Sequence, residues 1–441
     1  MSIGFLGYII ILLSVWILLK RERTLLAIVF FAPFCASYVV AFDSFYLQPG
    51  HWFLLLYISI VAVSVFTNKR IRIPFKRANI FLFVFICYAF LTIIINGLLR
   101  TDVQVYGIGN ANQLKSSMIS FQNFTQMLYL FLGYLLYLCI FGFCLKNESN
   151  FRKVTRIFAI SGLAVMAIGL YQMIANKFGL PYDEIFRNNV KNMWQTKSRM
   201  QATFGESSFF GQYCVYLFVI FATCKWSDNK IFRVVCLVLA CVCGVMSRST
   251  TFLLGVIGVV FTYVVFKKID RKVMIKYLVA IITTPVLLVY IMSNNLYVQQ
   301  LIRSTLSKIT LVGNSLESHS GEERRRIFAH MLQVGLEHPF WGIGYGGGRS
   351  TDLYANILAN VGIIGAFLFF AFIIRCLVFF IKNRNEEFSL CAILLLVGFL
   401  ITSGSIPDLS YLPIWVLFGL VDSRQVQIKE DRRILRGIKY A

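Results

Sequence analysis

Charge is scarce in this chain, and acidic charge scarcest: 20 Asp and Glu stand against 43 Lys and Arg in 441 residues, and only 14% of residues are charged. Polar sequence to coat a globule is lacking too, because 58% of residues are hydrophobic and the mean hydropathy is +0.71. That excludes a soluble domain, which carries about 25% charged residues. The 11 cysteines include no Cys-x-x-Cys pair and no Cys/His ligand spacing, and all lie in or at the ends of apolar runs, as Cys35, Cys87, Cys236 and Cys391 do. Neither disulfides nor a metal site is expected, no cofactor is implied, and cysteine reads as a small buried hydrophobe. A basic n-region is missing from Met1–Lys20, whose charges (Lys20, Arg21, Arg23) follow the apolar run. The first segment therefore reads as a retained helix with its N-terminus outside, not as a signal peptide. No internal repeat of the transporter kind and no low-complexity segment is present.

What is present is a succession of long apolar runs, near 3–19, 25–42, 52–67, 79–98, 126–145, 157–174, 208–224, 232–246, 251–266, 277–293, 357–381, 389–404 and 409–421. A membrane span takes about 20 apolar residues, so an all-α polytopic protein of about 12–13 transmembrane helices is predicted. The runs 232–246 and 409–421 are short, and the second, preceded by Ser405-Ile406-Pro407-Asp408, reads either as a span or as a re-entrant segment. In a polar protein a net charge of +23 would suggest nucleic acid. Here it reports topology and anionic headgroups, so membrane lipids and no nucleic acid are the expected partners.

Lys and Arg concentrate in short cytoplasmic loops. Thirteen spans with a cytoplasmic C-terminus place the connections 20–24, 68–78, 146–156, 225–233, 267–276 and 382–388 and the tail 422–441 inside, and these hold 28 of the 43 Lys and Arg. Arg375 lies within a span near its cytoplasmic end, where it can snorkel. Of the 14 left outside, 12 fall in 175–207, at Arg248 and in 294–356. A basic loop on the wrong side needs a reason, and an anionic substrate is the most economical. The tail Arg424–Lys439 is expected to rest on the inner leaflet. Three regions follow: N-terminal helices over 1–154, a core over 155–405 containing both basic loops, and a last segment with the tail over 406–441.

Within 294–356, Ser320-Gly321-Glu322-Glu323 matches a capping box with Ser320 at the N-cap, predicting a helix to Glu337 that is stopped by His338-Pro339. Ile327, Phe328, Met331, Leu332 and Gly335 recur at helical spacing, so this helix lies on the membrane surface or the top of the protein. Arg324, Arg325 and Arg326 oppose the positive end of that helix dipole. They either grip phosphate, which guanidinium does bidentately, or neutralise Glu322, Glu323 and lipid headgroups. The run Pro339–Arg349 lacks the ending of a P-loop. Its Gly342, Gly344 and Gly346 make either a flexible turn or a close backbone approach to a sugar diphosphate. Glu206, where the chain enters a span, suits a general base or a cap for the following helix. Arg248 occupies a very short turn, Ser247–Thr250, where topology disfavours it, and is read as functional.

Four elements occur in order: R-x-x-(G/A)-T-F-x-E at Arg199–Glu206, an S-R-S/T turn at Ser247–Thr250, R-x-x-x-aromatic at Arg324–Phe328, and P-x-x-G-x-G at Pro339–Gly344. Gly362-Ile363-Ile364-Gly365 closes the set. Over roughly 155–405 the chain thereby resembles the O-antigen polymerase (Wzy) / O-antigen ligase (WaaL) superfamily of polytopic bacterial glycosyltransferases. The resemblance implies a GT-C-like helical fold acting on a polyprenyl-diphosphate-linked oligosaccharide at the outer face of the bacterial inner membrane, with metal-independent inversion at the anomeric carbon. By motif position, Arg199, Arg248 and Arg324 are the arginines holding the lipid diphosphate; Glu206 is a catalytic candidate beside them, and Arg325, Gly342, Gly344, Gly346, Thr351 and Asp352 are candidates for substrate binding. Ligases usually carry His-Asn where this chain has Thr351-Asp352, and His330 and His338 read as structural. The departure favours the polymerase branch, whose product is O-antigen, capsule or exopolysaccharide and whose partners include a chain-length regulator and a flippase. Glu206 and Asp352 both stand as acceptors for the nucleophile's proton. The alternatives are a ligase moving finished glycan to another acceptor, a lipid-linked oligosaccharide transporter, which the near absence of ionisable residues in the spans argues against, and a membrane scaffold.

Overall fold

The computed structural model describes residues 2–17, 21–42, 45–67, 79–100, 102–107, 110–188, 199–266 and 319–438. Among them the chain is an all-α polytopic membrane protein. Its helices are α1 (Phe5–Ile17), α2 (Arg21–Phe31), α3 (Pro49–Phe66), α4 (Ile80–Leu99), α5 (Phe121–Cys144), α6 (Glu148–Phe178), α7 (Asp183–Phe186), α8 (Ser207–Thr223), α9 (Lys230–Met246), α10 (Thr250–Phe266), α11 (His319–Glu337), α12 (Leu353–Lys382), α13 (Ser389–Ser403) and α14 (Leu412–Ile438). Of these α3, α4, α5, α6 and α12 are long and apolar enough to cross a membrane, and α1, α8, α10 and α13 are shorter apolar helices. The expected span 277–293 lies outside the described residues.

Several expected spans have different bounds. The apolar run 25–42 does not continue as a helix, because Pro33 lies two residues beyond the end of α2 and cannot donate to an i−4 carbonyl. Its last three residues instead form β2 (Val40–Phe42), which pairs antiparallel with β1 (Ser2–Ile3) and β3 (Phe45–Leu47) in the register Ser2↔Ala41 and Val40↔Leu47. The connection expected at 146–156 is mostly the first turns of α6, which Asn147 caps by accepting from the Asn150 amide at 2.8 Å. α14 runs unbroken for 27 residues, about 40 Å, and carries the apolar run 409–421 on into the basic tail as one helix.

The connections gather at two ends. At one, which carries the site, the 32–48 segment meets the 199–206 loop (Ala36 N–H to Thr203 O, 2.9 Å) and that loop meets the α9–α10 turn (Met200 N–H to Met246 O, 3.1 Å). There too a hairpin of β4 (Gln104–Gly107) and β5 (Asn110–Ser116) covers α11, and Arg349 N–H donates to Tyr106 O at 2.9 Å. At the other end Lys225 pairs with Glu387 and Arg432 with Glu386.

α11 starts at His319 and ends at Glu337, two residues ahead of the start that a Ser320 N-cap implies and at the expected end, so Ser320 falls within the helix and does not precede it. The Ser320 side chain of the expected capping box lies outside the described residues. Its apolar stripe is not laid on lipid: Ile327, Met331 and Val334 are buried with Val105 and Tyr106 of the hairpin and with Ile343, Ala355 and Ala359. Phe328 stays exposed. α11 therefore sits on top of the protein, fixed between α12 and the hairpin.

Candidate functional site

The 199–206 loop is held by buried polar groups. Gln172, 2% exposed in α6, accepts from the amides of Gln201 and Ala202 at 2.8 and 3.0 Å, and Ala202 adopts a left-handed backbone (φ 49°). The Tyr182 hydroxyl donates to Ala202 O, and the Thr203 hydroxyl donates to Pro33 O at 2.7 Å. Arg187, buried, donates to Phe204 O and Gly205 O and to Asp183 Oδ1, each at 3.2 Å. One of the five basic residues of this loop is thus spent on its own backbone. The two ends of the locked stretch, Arg199 and Glu206, are left exposed.

Arg248 sits in the turn between α9 and α10 with a left-handed backbone (φ 49°), its amide donating to Val245 O at 2.9 Å. Ser247 Oγ donates to Gly244 O at 2.5 Å, and Ser249 Oγ accepts from the Thr251 amide at 3.2 Å, so both flanking residues pin the turn. Arg324 stands exposed in the second turn of α11, and its carbonyl accepts from the Thr351 hydroxyl at 3.2 Å. These three elements converge. Partial burial, followed by the charges of Arg324 and Arg248, lowers the proton affinity of the Arg199 guanidinium. Among the described residues no carboxylate lies within salt-bridge distance of Arg199 or Arg324. Three like charges near one another repel, and an anion between them is favoured. Arg325 is exposed one residue on, and Arg326 lies over the Tyr106 ring, 5.9 Å from its centroid.

Beside the triad, Arg349 Nη2 donates to Asp408 Oδ2 at 2.8 Å. Burial raises the Asp408 carboxyl above the usual carboxylate range, Arg349 opposes the rise, and the charge of Glu206 adds to it. Glu206 therefore lies near Asp408. It occupies the N-cap position of α8 with an extended backbone, yet makes no side-chain cap bond; its Oε2 accepts from Ser208 Oγ at 3.2 Å.

Asp352 is committed elsewhere. It is the N-cap of α12, where Oδ1 accepts from the Ala355 amide at 2.9 Å and Oδ2 from Ser350 Oγ at 2.8 Å. Burial raises its carboxyl, and those two hydrogen bonds oppose the rise. His330 pairs with Gln104 O at 2.8 Å, joining α11 to the hairpin.

The glycines of 339–348 use their freedom against the protein itself. Gly342, Gly344 and Gly346 all have positive φ (64°, 89° and 80°). A Cβ at Gly342 would stand 2.4 Å from Ala359 O, and one at Gly346 would stand 2.9 Å from Gln126 Cβ. Gly362 (φ 66°, ψ −172°) breaks α12 between a short first segment and its apolar length. The groups freed by the break are recovered: Ile343 N–H donates to Ala359 O at 2.8 Å and Ile363 N–H to Pro339 O at 2.6 Å. P-x-x-G-x-G and G-I-I-G are the two halves of one splice.

Asp408 and Arg349 form a site pair that sequence reasoning did not assign. Its only signal was an acidic residue in a turn between two apolar runs, facing a basic loop 59 residues earlier. No protein-family model matches the chain, and no curated protein matches it significantly.

Proposed function

We propose that this protein is an oligosaccharide repeat-unit polymerase, a GT-C-like inverting glycosyltransferase acting on polyprenyl-diphosphate-linked glycan. The observation carrying the reading is the convergence of Arg199, Arg248 and Arg324 from three separate elements, with no carboxylate paired to Arg199 or Arg324 among the described residues. Such a cluster suits a diphosphate, and guanidinium suits it better than ammonium does. The site end of the bundle faces outward across the bacterial inner membrane, with the N-terminus outside and the C-terminus cytoplasmic, following the distribution of Lys and Arg. A chain-length regulator and a flippase are the proposed protein partners.

In this reading a hydroxyl of the incoming lipid-linked unit attacks C1 of the growing chain. The bond from C1 to the diphosphate oxygen breaks, the glycosidic C–O bond forms, and polyprenyl diphosphate leaves with the bonding pair. The hydroxyl proton passes to Glu206, which is exposed and free of a cap bond, whereas Asp352 is engaged as a helix cap. The arginines hold the developing charge, so the protein mainly orients two substrates and stabilises a leaving group that is already activated. No metal step is needed.

The size profile of surface glycan from a deletion strain, complemented with wild type or Arg324→Ala, tests this. Collapse to single repeats, rescued by wild type only, is expected. Long polymer stranded on its lipid carrier would instead indicate a ligase.

A further inference from the structure

At the end of the bundle opposite the triad, α14 continues past its apolar run and packs on protein. Arg424 lies over the Phe151 ring, 5.9 Å from its centroid, Gln427 Nε2 donates to Cys144 O at 2.9 Å, and Ile428 is buried. Lys429 comes next and meets α12, where its ammonium lies 5.0 Å from the centroid of the Phe379 ring. Arg375 precedes Phe379 by four residues on α12, so the two share a face. Arg375 is exposed, as are Ile374, Val378 and Ile381, so its guanidinium emerges among side chains that face lipid. It stands seven residues, about 10 Å, inward of Lys382, where α12 ends.

Both cations share one buried counter-charge. Asp422, 2% exposed, accepts from the Tyr137 hydroxyl at 2.6 Å, and the charges of Arg375 and Lys429 both act on it. The Tyr137 oxygen in turn accepts from the Asn79 amide at 3.1 Å, which fixes the carboxylate among α4, α5 and α14. Among the described residues no carboxylate comes within salt-bridge distance of Arg375. Glu386 and Glu387, at the same end, are engaged by Arg432 and Lys225. Two cations against one carboxylate leave positive charge in excess, and Asp422 lies behind them in the protein. The balancing anion therefore comes from the lipid side.

An arginine set among lipid-facing side chains is costly unless it is paired or reaches the headgroups. From a position about two turns inside the helix end, its long side chain extends to the level of the phospholipid phosphates. Guanidinium grips two oxygens of one phosphate, and the neighbouring ammonium adds a point charge. A zwitterionic headgroup brings an ammonium of its own, so two cations favour a lipid of net negative charge. We propose that Arg375 and Lys429, set in place by Asp422 and Phe379, form a headgroup site for one anionic phospholipid. It lies in the leaflet that the distribution of Lys and Arg makes cytoplasmic. The site shares no residue with the arginine triad, so its test is independent of the polymerase reading.

Native mass spectrometry of the full chain, titrated in detergent with phosphatidylglycerol or with phosphatidylcholine of the same acyl chains, reads the lipid retained. Wild type should hold one phosphatidylglycerol about 10-fold more tightly than phosphatidylcholine. Arg375→Ala and Lys429→Ala should each weaken that binding about 5- to 10-fold, the scale of one lost charge contact, and leave phosphatidylcholine unchanged. Arg384→Ala removes an exposed cation at the same end but outside the site, and should change neither lipid. Lys429→Ala, which leaves α12 intact, reads the site if Arg375→Ala does not fold. Equal retention of the two lipids by wild type overturns the site, as does phosphatidylglycerol binding that is unchanged in folded Arg375→Ala or Lys429→Ala. An equal loss in Arg384→Ala would mean diffuse surface charge, and displacement of the lipid by excess inorganic phosphate would mean a site for free anions. Either result also overturns the proposal.

Discussion

Arg187 and Arg199 belong to one basic loop, and nothing in composition separates them. In the fold, Arg187 turns inward to bind the carbonyls of Phe204 and Gly205, whereas Arg199 opens toward Arg248 and Arg324. The sidedness of charge pointed to the loop, and motif order to Arg199. The inward role of Arg187 needed three dimensions, as did the pairing of Arg349 with Asp408. Arginine contacts to a diphosphate are worth about 1.5–3 kcal/mol each, so Arg248→Ala and Arg324→Ala should each lower polymer formation about 10- to 100-fold at normal protein level, measured by the glycan ladder. Asp352 tests the opposite expectation. Asp352→Ala should lower the stability of the detergent-solubilised protein by about 0.5–2 kcal/mol through loss of the α12 cap, and Asp352→Asn, also a good cap, should restore both melting temperature and polymer. A proton acceptor at this position would instead leave Asp352→Asn inactive.

At the scale of elements, the splice between the 339–343 turn and the break in α12 fixes where Thr351 and Arg349 stand relative to Arg324. Gly362→Ala forces a left-handed backbone on alanine and puts Cβ 2.2 Å from Phe340 O. The backbone strain alone costs about 1–3 kcal/mol, so folded yield and melting temperature should fall sharply. Gly205→Ala, with nothing within 4 Å of the new Cβ, should leave both unchanged. Apolar period and the His338-Pro339 stop located α11 and its end, because its stripe buries on one side only, whereas Ser320 lies inside the helix and not at its N-cap. They did not locate the end of α2: apolarity continues to residue 42 while Pro33 ends the helix. The glycine-rich turn was legible as a turn but not as the partner of Gly362, because the two hydrogen bonds that join them span sequence separations no local signal reports.

At the scale of the molecule, five helices of membrane-crossing length among the described residues mark a multi-pass membrane protein, and the orientation proposed for it follows the distribution of Lys and Arg along the chain. The proposed orientation predicts that Leu180→Cys, in the exposed connection after α6, reacts with a membrane-impermeant maleimide in intact spheroplasts, whereas Glu387→Cys, at the opposite end, reacts only after permeabilisation. Labelling with the reverse pattern would put the arginine triad in the cytoplasm. The measurement that bears most directly on the central claim is reconstitution: purified protein in liposomes given lipid-linked repeat units and a chelator, with no nucleotide. The account predicts a ladder of lengthening glycan made by wild type and lost with Arg199→Ala, Arg248→Ala or Arg324→Ala. Lipid-linked units that cross the bilayer at unchanged length, or a ladder that persists in all three variants, would contradict it.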